Sequence, residues 1–281
     1  MAATEVALIT GASTGIGRAT VRALAKKGFR VFATARRDES VRELRTEGRD
    51  LGYEALELDV ERDESVDAAI KHILAEAGSI DVLVNNAGYG LIAPVEAVTP
   101  EMLRQQFETN VIGAHRMVRA VLPAMRARGR GTIVQISSVV GLVAMPLYGA
   151  YSASKFALEA LSDSLRLEVA SFGIRVVLIE PGPIRTEFSS TSHKISDPLL
   201  ESERSLPYAG IIKKTQEARA RSRKMAGLGP AVVADTIVRA IESRSPATRY
   251  PITPLAHVVP GLQAVLPDKV FDRLLRMTMG K

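Results

Sequence analysis

The chain has 281 residues and a hydrophobic content of 46%, enough to bury a sizeable core in one large α/β domain or in two small ones. It contains no cysteine, so disulfides and thiolate metal sites are excluded, which fits a reducing compartment. The net charge is +6, and the positive excess lies in the C-terminal third, where residues 189–281 carry 15 Lys and Arg against 8 Asp and Glu.

Apolar, β-branched runs predict strands, which in chain order are 5–10, 29–35, 54–58, 80–86, 131–138 and 174–182, with 247–252 as a candidate for the last strand. Amphipathic patterns between and after them predict helices at 16–28, 65–78, 100–129, 151–173 and 230–243, often closed by glycine. Strands that are apolar throughout and alternate with helices indicate a parallel sheet covered on both faces. The expected fold is a single-domain, Rossmann-like α/β fold, a doubly wound parallel sheet of about seven strands that binds ligands at its carboxyl edge.

The basic C-terminal third raises the question of partners. Residues 213–224, KKTQEARARSRK, have no interleaved aromatic residue for base stacking, so they predict a solvated helix face and no nucleic-acid site. Residues 267–279 predict a short amphipathic helix that packs on its own domain or on another subunit, with peripheral membrane contact as an open alternative. No signal-like segment or transmembrane run is recognised, so a cytoplasmic location is expected.

A glycine-rich loop, TGASTGIGR at 10–18, follows the first predicted strand and opens the first helix. Gly11, Gly15 and Gly17 let the backbone turn sharply and approach a diphosphate, which free N–H groups at a helix start attract. The spacing departs from the common G-x-G-x-x-G fingerprint, and the absence of a following Lys-Ser/Thr pair excludes a P-loop. A nucleotide site is favoured over a tight structural turn because a strand precedes the loop and a helix follows it.

The end of the second predicted strand bears on the choice of cofactor, because a dinucleotide fold places there the residue that meets the adenosine ribose. Ala35 stands where an acidic residue would bond the hydroxyls, and Arg36 follows. A guanidinium pairs well with a 2′-phosphate, which favours NADP(H). NAD(H) stays open because Asp38 or Glu39 would meet the ribose if either turned inward, and Arg36 would then be an ordinary surface cation.

The stretch YSASK places Tyr151 and Lys155 on one face of a predicted helix, at i and i+4. A nearby ammonium favours the phenolate, so the pair predicts a tyrosine pKa below its ordinary value of about 10, and a positively charged nicotinamide would add to the effect. Ser138, thirteen residues earlier, ends a predicted strand at the ligand-binding edge. The small residues 152–154 leave room for a cofactor or for a partner helix.

These motifs together resemble the short-chain dehydrogenase/reductase family, and the steroid and retinol dehydrogenase-like members in particular. The resemblance covers about residues 4–188 and rests on TGASTGIG (10–17), LDV (58–60), NNAG (85–88), Asn110, ISS (136–138), YSASK (151–155) and PGPIRT (181–186). It implies a hydride transfer between a nicotinamide cofactor and a carbonyl or alcohol, with geometry and charge supplied by the protein.

The resemblance also implies roles by position. Tyr151 resembles the general acid/base, and Lys155 the group that lowers its pKa and holds the nicotinamide ribose. Ser138 resembles the hydroxyl that orients and polarises the carbonyl, and Asn110 the residue that fixes a water for proton supply. The implied cofactor contacts are Gly11, Gly15, Ile16, Gly17, Arg36, Asp59, Val60, Asn86, Tyr151, Lys155, Pro181, Gly182, Ile184 and Thr186. Purely structural roles for Asn86 and Asn110, and a capping role for Asp59, stay open.

The chain is expected to divide into a catalytic core at 1–188, a substrate-covering lid at 189–228 and a C-terminal completion of the same domain at 229–281. Candidate pocket residues are mainly apolar: Leu91, Val140, Met145, Tyr148, Pro183 and Phe188. They favour a bulky apolar ketone or secondary alcohol, such as a steroid-like or retinoid-like compound, over a sugar. The histidines, His72, His115, His193 and His257, are scattered and predict no metal site.

Two other functions stay open: a non-catalytic NADP-binding sensor, and a membrane-associated lipid or sterol carrier. The presence of all four catalytic-type residues favours an enzyme. In relatives, the helices corresponding to 100–129 and 151–173 form a four-helix dimer interface, so a homodimer or homotetramer is expected.

Overall fold

The computed structural model describes residues 4–226 and 228–278. One sheet contains the parallel strands β1 (Val6–Ile9), β2 (Arg30–Ala35), β3 (Glu54–Glu57), β4 (Val82–Asn85), β5 (Gly131–Ile136), β6 (Ile174–Glu180) and β7 (Arg249–Pro251). Their order across the sheet is β3-β2-β1-β4-β5-β6-β7. The predicted doubly wound, single-domain α/β fold is therefore confirmed, including the last strand near residue 250.

Helices connect the strands. They are α1 (Gly15–Lys26), α2 (Asp38–Leu51), α3 (Asp63–Ala77), α4 (Pro100–Phe107), α5 (Ala114–Arg128), α6 (Gly149–Val169), α7 (Phe188–Leu200), α8 (Ala209–Ala226), α9 (Pro230–Glu242), α10 (Pro254–Val265) and α11 (Asp268–Thr278). Gly78 and Gly129 end α3 and α5 in the left-handed region, at φ 73° and 65°. The prediction that glycines close these helices is confirmed, because a side chain at these angles would be strained.

Apolar layers cover both faces of the sheet. On one face, Val21 and Leu24 of α1 belong to a cluster with Ile237 of α9. On the other face, Ile70 of α3 lies in a cluster with Met117 of α5. Each such side chain contributes roughly 1.5–3 kcal/mol on burial. Burial of both faces explains why the strand sequences are continuously apolar and do not alternate.

The strand order reverses between β1 and β4. β1 pairs with β2 on one side and with β4 on the other, and the chain leaves both β1 and β4 at the same edge of the sheet. The N–H of Thr10, just after β1, donates to the carbonyl of Val84 at 3.0 Å, which holds the two exits together. Ligands of such folds bind in the crevice at this reversal.

The predicted continuous helix at 100–129 is wrong in its middle. Between α4 and α5 the backbone makes a wider, π-helical turn over Glu108–Gly113, which contains Asn110. Gly113 in this turn lies against Val60, so a Cβ there would be 2.8 Å from Val60 Cγ2. A π-helical turn this short lies within an otherwise helical segment, and the sequence pattern predicted one continuous helix there.

Three helices were missed by the sequence analysis. The helix α2 is highly charged, and Val41 and Leu44 are its buried apolar residues. Two apolar residues are too few to show a helical pattern in the sequence. The helices α7 and α10 contain Pro198 and Pro260, residues that argue against a helix interior. Thr253 begins α10 by accepting a hydrogen bond from the N–H of Ala256.

Two properties of the described residues bear on function classes. Among the described helices, none combines the length and apolar character needed to cross a bilayer. In the same part of the chain, no group of three or more His, Asp or Glu side chains is arranged to hold a metal ion.

Candidate active site

The glycine loop connects β1 to α1 at the strand-order reversal. Gly11 and Gly15 have φ values of 62° and 56°, where a side chain would be strained. A Cβ on Gly17 would lie 2.5 Å from Asn86 Nδ2 and 2.6 Å from the Gly11 carbonyl oxygen. Thr14 precedes α1 without a side-chain capping bond, so its hydroxyl does not occupy the first N–H groups of the helix. The loop therefore has the form of an anion cradle.

Asn86 holds this loop in place from the end of β4. Its Nδ2 donates to the carbonyls of Thr10 and Gly11, both at 2.9 Å, and its backbone N–H donates to Thr10 Oγ1 at 3.0 Å. The side-chain amide is thus engaged with the glycine loop. Asn86 lies at the predicted cofactor site, and its observed contacts are structural, one of the two alternatives left open by the sequence.

The segment after β6 closes the cradle from the opposite side. A Cβ on Gly15 would lie 3.2 Å from Thr186 Cβ, and a Cβ on Gly182 would lie 2.1 Å from Thr253 Oγ1. Ile16 and Ile184 both pack on the cluster formed by α1 and α9. Pro181 accepts a hydrogen bond from the N–H of Val139 at 3.0 Å. The glycine loop and the segment 181–186 are therefore brought together as predicted.

The expected adenosine end lies after β2 and β3. Arg36 is exposed and pairs with Glu61, with 3.6 Å between Nη1 and Oε1. Asp38 and Glu39 are exposed in the first turn of α2. Asp59 accepts a hydrogen bond from the N–H of Glu61 at 3.1 Å, so it forms a local turn before α3 and does not cap that helix. Val60 is buried under Gly113.

Tyr151 and Lys155 lie on α6, as predicted, and are buried. Lys155 Nζ is 5.9 Å from the centre of the Tyr151 ring and donates to the Ile136 carbonyl at 2.7 Å. This carbonyl is at the end of β5, so the ammonium is fixed between α6 and the carboxyl edge of the sheet. The i, i+4 spacing therefore brings the two groups together.

The expected direction of the tyrosine shift is wrong for the polypeptide by itself. Burial raises the pKa of Tyr151 above its ordinary value, and the nearby Ser138 hydroxyl offsets only part of this rise. Burial also lowers the pKa of Lys155 to about 8, against the opposing charge of Glu159. Desolvation disfavours the charged form of each group, and here it outweighs their proximity.

Ser138 lies just after β5 and leads into a single helical turn, Val139–Gly141. Its hydroxyl donates to the Pro181 carbonyl at 3.3 Å and accepts from the N–H of Val140 at 3.4 Å. These contacts join the ends of β5 and β6 next to Tyr151. The sequence placed Ser138 at this edge, and the structure brings its hydroxyl to the phenol.

Asn110 occupies the π-helical turn. Its Nδ2 donates to the Tyr89 carbonyl at 2.9 Å and to Ser154 Oγ at 3.1 Å, while its Oδ1 accepts from the N–H of Tyr89 at 3.1 Å. Ser154 in turn donates to the Tyr151 carbonyl at 2.7 Å. Ser154, one of the small residues between Tyr151 and Lys155, is therefore buried in contact with Asn110.

The predicted pocket residues surround Tyr151 unevenly. The Phe188 ring, exposed at the start of α7, lies 5.6 Å from the Tyr151 ring. Leu91 and Val140 are buried, whereas the remaining three are half-buried: Met145, Tyr148 and Pro183. Tyr148 packs against a cluster of Ile92, Leu147 and Ile212. This cluster joins α8, in the predicted lid, to the loops near the site.

Gln106 was not predicted as a site residue from the sequence. It is fully buried, and its side chain accepts from the N–H of Leu91 at 2.7 Å and donates to the Tyr89 carbonyl at 2.9 Å. It therefore shapes the loop after β4, next to Asn110. The available signal was a second polar amide four residues before Asn110, on the same helical face.

The fold and these residues define a dinucleotide-binding redox protein, because the glycine cradle and the Tyr-Lys pair lie at one edge of the sheet. The model of the short chain dehydrogenase family matches residues 5–196. The chain belongs to the short-chain dehydrogenase/reductase family, which confirms the resemblance seen in the sequence and makes it an oxidoreductase that uses NAD or NADP.

Similar proteins span nearly the whole chain. An uncharacterised oxidoreductase, YbbO of Escherichia coli strain K12, is 37% identical over 96% of this chain and 93% of its own length. The 3-ketodihydrosphingosine reductase of Bacteroides thetaiotaomicron is 34% identical over 97% of each chain. Human retinol dehydrogenase 8 is 42% identical over 66% of this chain and 61% of its own length.

Solved structures agree with the fold. A short-chain dehydrogenase from Streptomyces avermitilis matches with a TM-score of 0.77 and 34% identity, covering 98% of this chain and 96% of that one. A serine dehydrogenase complexed with NADP+ matches with a TM-score of 0.76 and 29% identity, covering 89% and 95%. A family member from Burkholderia phymatum in complex with NAD has a TM-score of 0.80, 24% identity and 93% coverage of each chain, and shows the shared fold.

Proposed function

We propose that this protein is an NADP(H)-dependent oxidoreductase that transfers a hydride between the nicotinamide and a bulky apolar ketone or secondary alcohol. The proposal rests on the groups that surround Tyr151. This buried phenol lies between the Ser138 hydroxyl, the Lys155 ammonium and the apolar Phe188 ring, which is 5.6 Å away. Such surroundings suit an apolar substrate whose oxygen exchanges a proton with the phenol.

When bound, the nicotinamide supplies or accepts the hydride. The chain provides the proton transfer and the positions of the groups. Because burial raises the pKa of Tyr151, the phenol is protonated at neutral pH, which is the form that donates a proton to a carbonyl oxygen during reduction. Ser138 donates a second hydrogen bond to that oxygen, and Lys155 stabilises the phenolate that reduction leaves. The sequence predicts a lowered pKa for Tyr151. We expect this lowering only in the complex with the oxidised cofactor, where the positive charge of the nicotinamide ring favours the phenolate.

The preference for NADP(H) rests on Arg36. Its guanidinium is exposed just after β2 and forms an ion pair with Glu61, with 3.6 Å between Nη1 and Oε1. The two acids that would serve NAD(H), Asp38 and Glu39, lie exposed in the first turn of α2. A pair this long and exposed is weak, so a 2′-phosphate can compete for Arg36. Reduction is then the expected direction in a cell.

Two relatives support the substrate class. One is named a 3-ketodihydrosphingosine reductase and another a retinol dehydrogenase, and both names describe lipids with a reducible or oxidisable oxygen. In this chain, α7 and α8 cover the site from the substrate side. Ile92 donates its N–H to Ser196 of α7 at 2.9 Å, and Ile212 of α8 packs on Leu147. We assign the stretch 189–228 as a lid on this basis.

The test is a panel of apolar ketones, aldehydes and secondary alcohols assayed by NADPH and NADH absorbance. Tyr151→Phe should lower turnover by about 10²–10⁴-fold, the range for loss of a general acid, while NADPH binding persists. Tyr53→Phe, a buried tyrosine beside α2, is the matched control and should keep full activity. A Tyr151→Phe protein with unchanged turnover would refute the assigned acid, and a wild type inactive on every compound would favour the NADP-binding sensor.

We also propose a homodimer or homotetramer. Ala153, Phe156, Ala160 and Leu167 are exposed at spacings of three, four and seven on α6, so they form one apolar stripe. This stripe lies on the side of α6 opposite Tyr151 and Lys155. The small Ala153 within YSASK therefore leaves room for a partner helix, in agreement with the second option drawn from the sequence.

A peripheral membrane contact is a further proposal, suggested by α10. This helix contains no Asp, Glu, Lys or Arg and exposes Leu255, Val258, Leu262 and Val265 at spacings of three and four. Flotation with anionic vesicles should carry the wild type but not Val258→Glu. A wild type that stays with the unbound fraction would end this proposal. A lipid carrier without turnover is not favoured, because the reductase and the retinol dehydrogenase among the relatives are named as enzymes.

A further inference from the structure

The catalytic face of α6 continues beyond Lys155. Tyr151, Lys155, Glu159 and Asp163 follow one another at steps of four residues, so they lie on a single face of the helix. The first three are 7%, 6% and 5% exposed, whereas the Asp163 side chain is 39% exposed. A row of titratable side chains therefore leads from the buried phenol toward solvent. The mechanism described above uses only its first two members.

Arg249 of β7 joins the far end of this row to the sheet. Its Nη2 lies 3.2 Å from Glu159 Oε2 and 2.6 Å from Asp163 Oδ2, and its Nε lies 3.2 Å from Glu180 Oε1. Glu180 is the last residue of β6 and is 2% exposed. One guanidinium thus meets three carboxyl groups, of which two are buried.

The charges of this cluster do not balance without Lys155. Asp163 also pairs with Arg166 at 2.5 Å, which leaves Arg249 to serve both Glu159 and Glu180. A buried carboxylate without a counter-charge is unfavourable by several kcal/mol. Burial, together with the charge of Glu159, raises the pKa of Glu180 to about 7, and burial raises the pKa of Glu159 as well. Arg249 is one-third exposed, whereas the Lys155 ammonium, one helical turn from Glu159, is buried.

We propose that Glu159 is a positioning residue for Lys155: it keeps the buried ammonium charged and couples it, through Arg249, to β7. For turnover the proposal rests on the proposed function, but the charge of Lys155 can be measured without it. The groups that face the pair, element by element, are Tyr151 and Asp163 on α6, Asn110 in the π-helical turn, the Ile136 carbonyl and Ser137 after β5, Glu180 on β6 and Arg249 on β7.

The consequence concerns alkaline conditions. Burial lowers the pKa of Lys155 to about 8 even with the opposing charge of Glu159, so the ammonium is close to losing its proton in weakly basic solution. The carboxylate one turn away opposes this loss. Without Glu159 the lysine would be neutral at a lower pH, and the phenolate that forms during reduction would lack its counter-charge.

The direct experiment labels the protein with lysine carrying ¹³C at Cε and follows the Lys155 signal, assigned with Lys155→Arg, as a function of pH. Glu159→Gln keeps the side-chain shape but removes the carboxylate charge. The titration midpoint of Lys155 should fall by about one pH unit, the size expected for one charge a helical turn away. Arg249→Gln removes the competing cation and should raise the midpoint. Glu168→Gln, an exposed carboxyl on the same helix, is the matched control and should leave it unchanged.

The opposite signs of the two variants keep the proposal testable if one of them fails to fold. A structural role for the cluster would change the unfolding temperature without moving the midpoint in opposite directions. A Glu159→Gln midpoint equal to that of the wild type, or an Arg249→Gln midpoint that does not rise, would overturn the proposal.

Turnover provides a second measurement. In carbonyl reduction with NADPH, the alkaline limb of the kcat profile should move to lower pH in Glu159→Gln and stay in place in Glu168→Gln. If the wild type turns over no carbonyl compound, the proposed function fails, and the lysine midpoints still decide the role of Glu159. If turnover is present and the limb does not move, the proposed function stands and the role of Glu159 falls.

Discussion

At the residue scale, burial determines what a side chain can do at this site. The sequence predicts that Lys155 makes Tyr151 more acidic, yet burial makes the phenol less acidic and the ammonium more so. The proton therefore stays on Tyr151, the protonation state that the proposed carbonyl reduction requires. Glycine acts at the residue scale in another way, because its missing side chain leaves space for neighbouring atoms.

Gly17→Ala should weaken NADPH binding without unfolding the protein. The new Cβ would lie 2.5 Å from Asn86 Nδ2 and 2.6 Å from the Gly11 carbonyl oxygen, so the loop must shift away from its cradle shape. A fluorescence titration should show at least about a tenfold loss of affinity, equivalent to about 1.4 kcal/mol. The control is Gly210→Ala in α8, where a Cβ meets open space. Equal affinities in both variants would show that the loop does not hold the cofactor.

Glu61→Gln should increase the preference for NADPH over NADH. The change removes the negative charge that attracts Arg36 at 3.6 Å, so the guanidinium is released for a 2′-phosphate. The ratio of the two affinities should rise about two- to fivefold, the value of a weak exposed ion pair. Arg36→Ser should reverse the effect, and Glu64→Gln, exposed in the first turn of α3, should leave the ratio unchanged. A preference for NADH in the wild type would contradict the role given to Arg36.

At the element scale, α6 carries its two proposed functions, proton transfer and subunit contact, on opposite faces. Tyr151, Lys155 and Glu159 face the sheet, while Phe156 and Leu167 face outward. Ion pairs also join neighbouring helices. Glu47 of α2 lies between Arg18 and Arg22 of α1, with 2.7 Å from Arg18 Nε to Oε2 and 2.5 Å from Arg22 Nε to Oε1. These two helices cover one face of the nucleotide half of the sheet.

Glu47→Gln should destabilise the protein at neutral pH. The hydrogen bond from Arg22, with help from Arg18, lowers the pKa of the Glu47 carboxyl from its ordinary 4.5 to about 2. Its stabilisation is therefore fully present above about pH 4.5 and is lost as the pH falls toward 2. Urea unfolding should show a loss of about 1 kcal/mol at pH 7 that shrinks in acid. Glu43→Gln, exposed on the same helix, is the control, and an equal loss at all pH values would contradict the ion-pair explanation.

At the scale of the whole molecule, the site is assembled from segments distant in sequence. The glycine loop, the π-helical turn, the end of β5, the start of α6 and the segment after β6 meet at one edge because the strands are parallel. Assembly into oligomers then depends on what the outer helices expose.

Leu167→Glu should convert the expected oligomer to monomers. Leu167 is 75% exposed on the apolar stripe of α6, and a carboxylate there would be buried without a partner in a helix-to-helix interface. Sedimentation velocity provides the measurement. Val265→Glu is the matched control, because Val265 is also 75% exposed but lies on α10. A wild type that sediments as a monomer would contradict the assembly, and dissociation by Val265→Glu alone would move the interface to α10.

The amino-acid sequence by itself determined the order of the strands, most of the helices, the parallel sheet, and the positions of Gly11, Ser138, Tyr151 and Lys155 in the chain. It could do so because glycine spacing, helical periodicity and apolar runs depend on neighbours a few residues away. Only the tertiary structure decided the π-helical turn around Asn110, the helices α7 and α10 that contain proline, the raised pKa of Tyr151 and the meeting of Glu159 with Arg249. These depend on burial and on contacts between residues far apart in the chain, such as Glu159 and Arg249, and local sequence patterns carry no record of either.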